Sequence, residues 1–140
     1  MLRKIFLAAL GAAGFGAIFG LPRNKLWIIG LLSGLSWGSY MLLEKALNNQ
    51  GTAMFFITIA VAIISKLYAM KMKCPAFVIS TPVLIPFIPG ATLYLVMNDF
   101  VGDRVTLMEN LDMLWKQVGA IVAGNLAVEV VCVKLLYEKG

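Results

Sequence analysis

The chain has 140 residues, 61% hydrophobic and 14% charged, with a net charge of +5. That is too little charge to coat a soluble domain of this length, and the apolar residues come in long blocks of the kind a lipid bilayer requires, about 20 residues per span. The basic residues sit between the apolar blocks, which points to membrane topology and not to nucleic-acid binding.

The first block runs from about Ile5 to Leu21 and is broken by Pro22, Arg23, Asn24 and Lys25. Arg3 and Lys4 before it resemble the start of a signal peptide, but the Gly/Ala-rich run continues without a polar cleavage region, so it reads as a retained helix. The second block runs from about Leu26 to Leu43 and ends at Glu44 and Lys45; Asn48, Asn49, Gln50 and Gly51 form a turn. The third starts near Thr52 and continues to about Ala69, with Lys66 snorkelling toward the interface, and Lys71, Lys73 and Pro75 close it. The fourth runs from about Ala76 to Met97. A polar loop with Asp99, Gly102, Asp103, Arg104, Glu109 and Asp112 follows. The fifth runs from about Met113 to Leu136. The expectation is an all-α polytopic protein with about five transmembrane helices, the fourth broken, forming a single transmembrane domain over residues 1–140.

Five helices put the termini on opposite faces. The face with the N-terminus carries Arg3, Lys4, Lys45, Arg104 and Lys116, and the other carries Arg23, Lys25, Lys66, Lys71, Lys73, Lys134 and Lys139. The positive-inside rule then predicts the N-terminus outside and the C-terminus in the cytoplasm, although Arg3 and Lys4 argue the other way. The tryptophans and tyrosines mostly fall near helix ends, as an interfacial belt does, with Trp37 and Tyr94 read as deeper.

Small residues recur every four positions at Ala8, Ala12, Gly16 and Gly20, and again at Gly30, Gly34 and Gly38. Such stripes let helix backbones approach closely in lipid, so the first two helices are expected to pack on each other or on a neighbouring copy.

The fourth block holds Ser80, Thr81, Pro82, Pro86, Pro89, Gly90, Thr92 and Tyr94. Three prolines and a glycine within nine residues cannot sit in one regular helix. Freed carbonyls must find partners in protein or in a water-filled cavity. Broken helices of this kind build substrate sites in many transporters, with a half-helix N-terminus offered to anions. The second half is expected to begin near Gly90, and Ser80, Thr81, Pro86, Pro89, Gly90, Thr92 and Tyr94 are the candidate substrate-pathway residues; a structural kink is the plainer alternative. In the fifth block, Gln117, Asn125 and Glu129 share one helix face. A carboxylate inside a span is costly, so Glu129 fits a proton-coupling group, a cation site, or a pair with Lys66 or Lys134. Asn125 reads as an interhelical hydrogen-bonding residue. There is no histidine, Cys74 and Cys132 have no metal-ligand spacing, and no catalytic constellation occurs; neither metal, cofactor nor enzymatic activity is expected.

The run from Gly14 to Leu26 with its proline-basic turn, the Lys73-Cys74-Pro75 segment, and Ile85-Pro86-Phe87-Ile88-Pro89-Gly90 followed by Tyr94 resemble the threonine/serine exporter family, specifically its small YjjB-like membrane half. The resemblance implies the split form, working with a larger membrane subunit in the bacterial cytoplasmic (inner) membrane. It implies export of threonine and serine or of dicarboxylates such as succinate. Two other readings are a non-transporting scaffold subunit and a small homo-oligomeric channel.

Overall fold

The computed structural model describes residues 2–102 and 104–137; the side chains of Arg104 and Tyr137, with Asp103 and Lys139, all used in the readings above, lie outside the described residues. Every regular element among the described residues is helical: α1 (Leu2–Ile18), α2 (Leu26–Leu47), α3 (Gln50–Met72), α4 (Phe77–Leu84), α5 (Gly90–Asp99) and α6 (Arg104–Tyr137), with short 3₁₀ turns at Arg23–Lys25 and Ile85–Phe87. The protein is an all-α polytopic membrane protein. Among the described residues three helical stretches are long and apolar enough to cross a bilayer, Arg23–Leu47, Gln50–Met72 and Val105–Cys132, and the pair Phe77–Phe87 and Gly90–Asp99, bent by 51°, adds a fourth where it forms one broken span. With 17 residues, α1 rises about 25 Å and lies at the short end of spanning length.

The helix ends follow local chemistry. Gly20 at φ +75° ends α1, and Leu21 N–H closes back on the Gly16 carbonyl at 3.1 Å. Asn48 ends α2 in the left-handed region, and the Asn49 side chain caps α3 by accepting from Gly51 and Thr52 N–H. Lys73 is again left-handed, its N–H bonded to the last α3 carbonyls. The stretch 104–112, expected as loop, is instead about the first two and a half turns of α6. Helix-compatible spacing explains this: Asp112 pairs with Lys116 one turn on, and Asn110 reaches the Asp99 carboxylate at 2.7 Å. At 34 residues α6 is about 51 Å long, so one end projects beyond the hydrocarbon.

The α1–α2 seam is closed by small residues. A Cβ on Gly30 would come within 3.0 Å of the Ala9 carbonyl oxygen; on Gly34 and Gly38 it would meet Ala9 and Ile5 at 3.4 Å. Ala8, Ala12 and Gly16 of α1 are buried. Gly20 does not extend that stripe: it lies past the helix with nothing within 4 Å of a Cβ, and its positive φ is what the turn uses. Helix α4 packs against α1, α2 and α3, whereas α5 packs on α6, which in turn packs on α3.

Candidate functional site

The bend between α4 and α5 is filled, not open. Phe87 is 2% exposed and lies between Trp37 and Tyr40, with ring centroids at 5.1 and 5.9 Å. The Ser33 hydroxyl, fully buried on α2, sits 3.3 Å from the Val83 carbonyl in the turn before Pro86 and 3.4 Å from the Ala8 carbonyl. That is the kind of protein partner a broken span needs for its backbone. Trp37 is deep, as expected, but packs in this aromatic cluster; Tyr94 is 69% exposed on the outer face of α5.

The polar cleft lies one half-helix away. A cavity of about 490 Å³ opens between α3, the start of α4 and α6, lined by Lys66, Ser80, Asn125 and Glu129 together with apolar side chains. Lys66 Nζ is 2.5 Å from a Glu129 carboxylate oxygen; Glu129 is 63% exposed and Lys66 20%. Asn125 lines the cleft but donates to the Ile121 carbonyl of its own helix at 3.1 Å, not to another helix as its reading as an interhelical residue expects. Pro75, Ala76 and Phe77, which open α4, form another wall. The half-helix N-terminus beside the cleft is therefore that of α4, not that of α5 at Gly90. A helix N-terminus offers N–H groups and a partial positive charge to an anion. A second cavity of about 390 Å³ shares Lys66 and Ala76 and adds Lys73, Cys74 and Cys132. Both thiols are free, and Cys132 lines the same cavity as Lys66.

Of the expected site residues, the fold brings Ser80, Asn125 and Glu129 together, with Lys66 as the partner of Glu129 in place of Lys134. Thr81, Pro86, Pro89, Gly90, Thr92 and Tyr94 do not line this cleft. Thr92 is buried at the opposite end, donating to Gln117 Oε1 at 3.0 Å. Gln117 in turn donates to Gln50 Oε1 at 3.2 Å, and Gln50 to Glu44 Oε1 at 2.7 Å. This chain of side chains joins α5, α6, α3 and α2. Sequence reasoning placed Gln117 on the face of Asn125 and Glu129 but missed its partners, which are 25 and 67 positions away. It also missed Gly124, where a Cβ would lie 3.0 Å from Thr58 and 3.1 Å from the Phe55 carbonyl oxygen. A lone glycine in a long helix gives no sign of what it faces.

A helical bundle in lipid, with a broken span beside a cleft that holds one cation and one anion, has the build of a membrane transporter. The model of the threonine/serine exporter ThrE family matches residues 4–131, and the chain belongs to that family. Membership assigns it a transport role, and exporters are not a class of enzyme. No solved structure matches the chain.

Proposed function

We propose that this chain is one subunit of a two-component secondary exporter of small carboxylate-bearing metabolites, threonine and serine first, working with a larger membrane partner in the bacterial inner membrane. The observation that carries the reading is the pairing of Lys66 with Glu129 inside a 490 Å³ cleft that also holds Ser80 and Asn125. A zwitterionic amino acid matches this set group by group. Its carboxylate goes to the Lys66 ammonium and the α4 N-terminus, and its ammonium goes to Glu129 and the Asn125 amide oxygen. A side-chain hydroxyl meets Ser80. The substrate replaces the ion pair it opens, so little charge is left unpaired in the span. A dicarboxylate such as succinate has no cation to offer Glu129 and would have to extend toward Lys73 in the adjoining cavity.

Lys66 and Glu129 lie near the C-terminal ends of α3 and α6. With the N-terminus outside and the C-terminus in the cytoplasm, the cleft faces the cytoplasm, the loading side for an exporter. Glu129 is then the candidate coupling group, since proton uptake would remove the anion that holds the substrate ammonium and so favour release. The test is export of labelled serine, threonine and succinate from cells making this chain alone and with a larger membrane protein of the same family. Export against a gradient only with both supports the reading. Downhill flux from the chain alone would make it a channel, and no flux from either, with both in the membrane, would make it a scaffold.

A further inference from the structure

We infer that the 390 Å³ cavity next to the cleft holds an anionic phospholipid, with its phosphate at Lys73 and an acyl chain laid along Met70, Ala69 and Cys132. The inference stands apart from the transport reading, since it needs only the cavity and its place in the bilayer.

The cavity lies where α3 ends and α4 begins, with Cys132 of α6 forming the other wall. Lys66, Ala69, Met70 and Lys73 follow one another at spacings of three and four, so they share one face of α3. That face runs about 10 Å from Lys66 outward to Lys73. At 23 residues α3 is about 35 Å long, against about 30 Å of hydrocarbon. Lys73, one residue past the helix, therefore lies at headgroup level, and Lys66 lies inside the hydrocarbon.

The two neighbouring cavities share Lys66 and Ala76 but suit different ligands. The cleft holds Ser80, Asn125 and Glu129, which match a small polar solute. The second cavity is lined, besides its two lysines, by Ala69, Met70, Cys74, Ala76 and Cys132. A polar solute finds few hydrogen-bonding partners on such a wall, whereas a hydrocarbon chain gains by burial there. The two lysines also differ. Lys66 is committed to Glu129, so it meets the chain with its methylene stem. Lys73 is exposed and belongs to neither of the ion pairs found among the described residues. An uncommitted cation at the outer rim of an apolar cavity complements an amphiphile with an anionic head. The rest of this end has the same sign. Arg23, Lys25, Lys71 and Lys134 join the two lysines, against Glu129 among the described acidic side chains. The opposite end sets Glu44, Asp99, Glu109 and Asp112 against Arg3, Lys4, Lys45 and Lys116 and has no such excess. A dicarboxylate reaching for Lys73 has to displace this lipid.

The test is alkylation of the native thiols, Cys74 and Cys132 being the two cysteines of the chain. The full chain is placed in phosphatidylcholine nanodiscs with or without phosphatidylglycerol, and the rate of N-ethylmaleimide addition at each cysteine is read by mass spectrometry. Phosphatidylglycerol should slow alkylation of Cys132 severalfold. K73N removes the charge and suits the left-handed backbone at that position (φ 54°). It should need about fivefold more phosphatidylglycerol for the same protection, the attraction of one lysine for an anionic lipid. R23Q, at the same end but outside the cavity, should leave protection as it is. Equal losses in R23Q and K73N would overturn the site, because they would show general attraction to a basic surface. No protection in the unaltered chain would overturn it too. Equal protection by soluble glycerol phosphate or succinate in neutral nanodiscs would do the same, by making the cavity a site for soluble anions. If K73N does not fold, native mass spectrometry of the unaltered chain from mixed nanodiscs decides. Phosphatidylglycerol should be retained in preference to phosphatidylcholine and lost once Cys132 carries the maleimide; equal retention of the two lipids would refute the inference.

Discussion

Two helix seams in this molecule are closed by glycine, and they differ in what lies on either side of the glycine. Along α1–α2 the contact is a row: Gly30, Gly34 and Gly38 face Ala9 and Ile5 over about two turns, with no charged group among those neighbours. Along α3–α6 one glycine, Gly124, sits tightly against Thr58 and Phe55, with a hydrogen-bonded chain toward one side and an ion pair beside a cleft on the other. Close packing over a row resists every displacement, because in lipid van der Waals contact is the main force holding helices together. Along α3–α6 contacts run from Gly51 against Lys116 to Lys66 against Glu129, so polar and charged pairs share in holding the seam. The comparison teaches that small residues in a membrane helix mark proximity, and that the polar partners around them separate an apolar weld from a seam that borders a cleft.

The largest effect that would sharpen this contrast is at the ion pair. K66M leaves Glu129 without its partner and the substrate carboxylate without its cation. Export per folded molecule should fall by at least about tenfold, equivalent to 1.4 kcal/mol, while K66R keeps most of it. Unchanged transport in K66M would detach the cleft from function. Next comes the weld. G30V forces a side chain into the Ala9 carbonyl and should cost about 1–3 kcal/mol in reversible unfolding in detergent, whereas G38A, with 3.4 Å of room, should cost far less. If G30V were neutral, the row would not be holding α1 in place. A third measurement concerns substrate choice and coupling together. K73Q should reduce succinate export, where it occurs, and leave serine export alone, and E129Q should flatten the dependence of export on external pH. The smallest effect is expected at Tyr94. It is 69% exposed and away from the cleft, so Y94A should alter the stability of the chain by less than about 0.5 kcal/mol.

Much of the fold was legible in the chain. Apolar block length gave the spans, the asparagine-rich turn and Lys73-Cys74-Pro75 gave helix ends, and three prolines with Gly90 gave the break. The helical stretch 104–112 was not read correctly, because polarity was taken for a loop when it marks a helix leaving the bilayer. The site was half legible. Glu129 stands out because ionised groups are rare in spans and Asn125 shares its helix face, while Ser80 belongs by sequence to the proline-glycine segment and only the fold brings it to them. The proline-glycine segment drew attention toward Pro86, Gly90 and Tyr94, yet its interior is occupied by Phe87 against Trp37 and Tyr40, and the open space lies at the other end of α4.

The sequence by itself determined what the solvent demands of it. Hydrocarbon length fixes span length, missing N–H groups fix where a helix breaks, and left-handed turns fix where it stops; these are local constraints, readable within a few residues. The tertiary structure alone decided that Lys66 answers Glu129, that Gln117 joins Thr92 to Gln50, and that Gly124 meets Thr58. Those pairs are distant in the chain and lie on helices whose rotation about their own axes is set by packing, which no local pattern records.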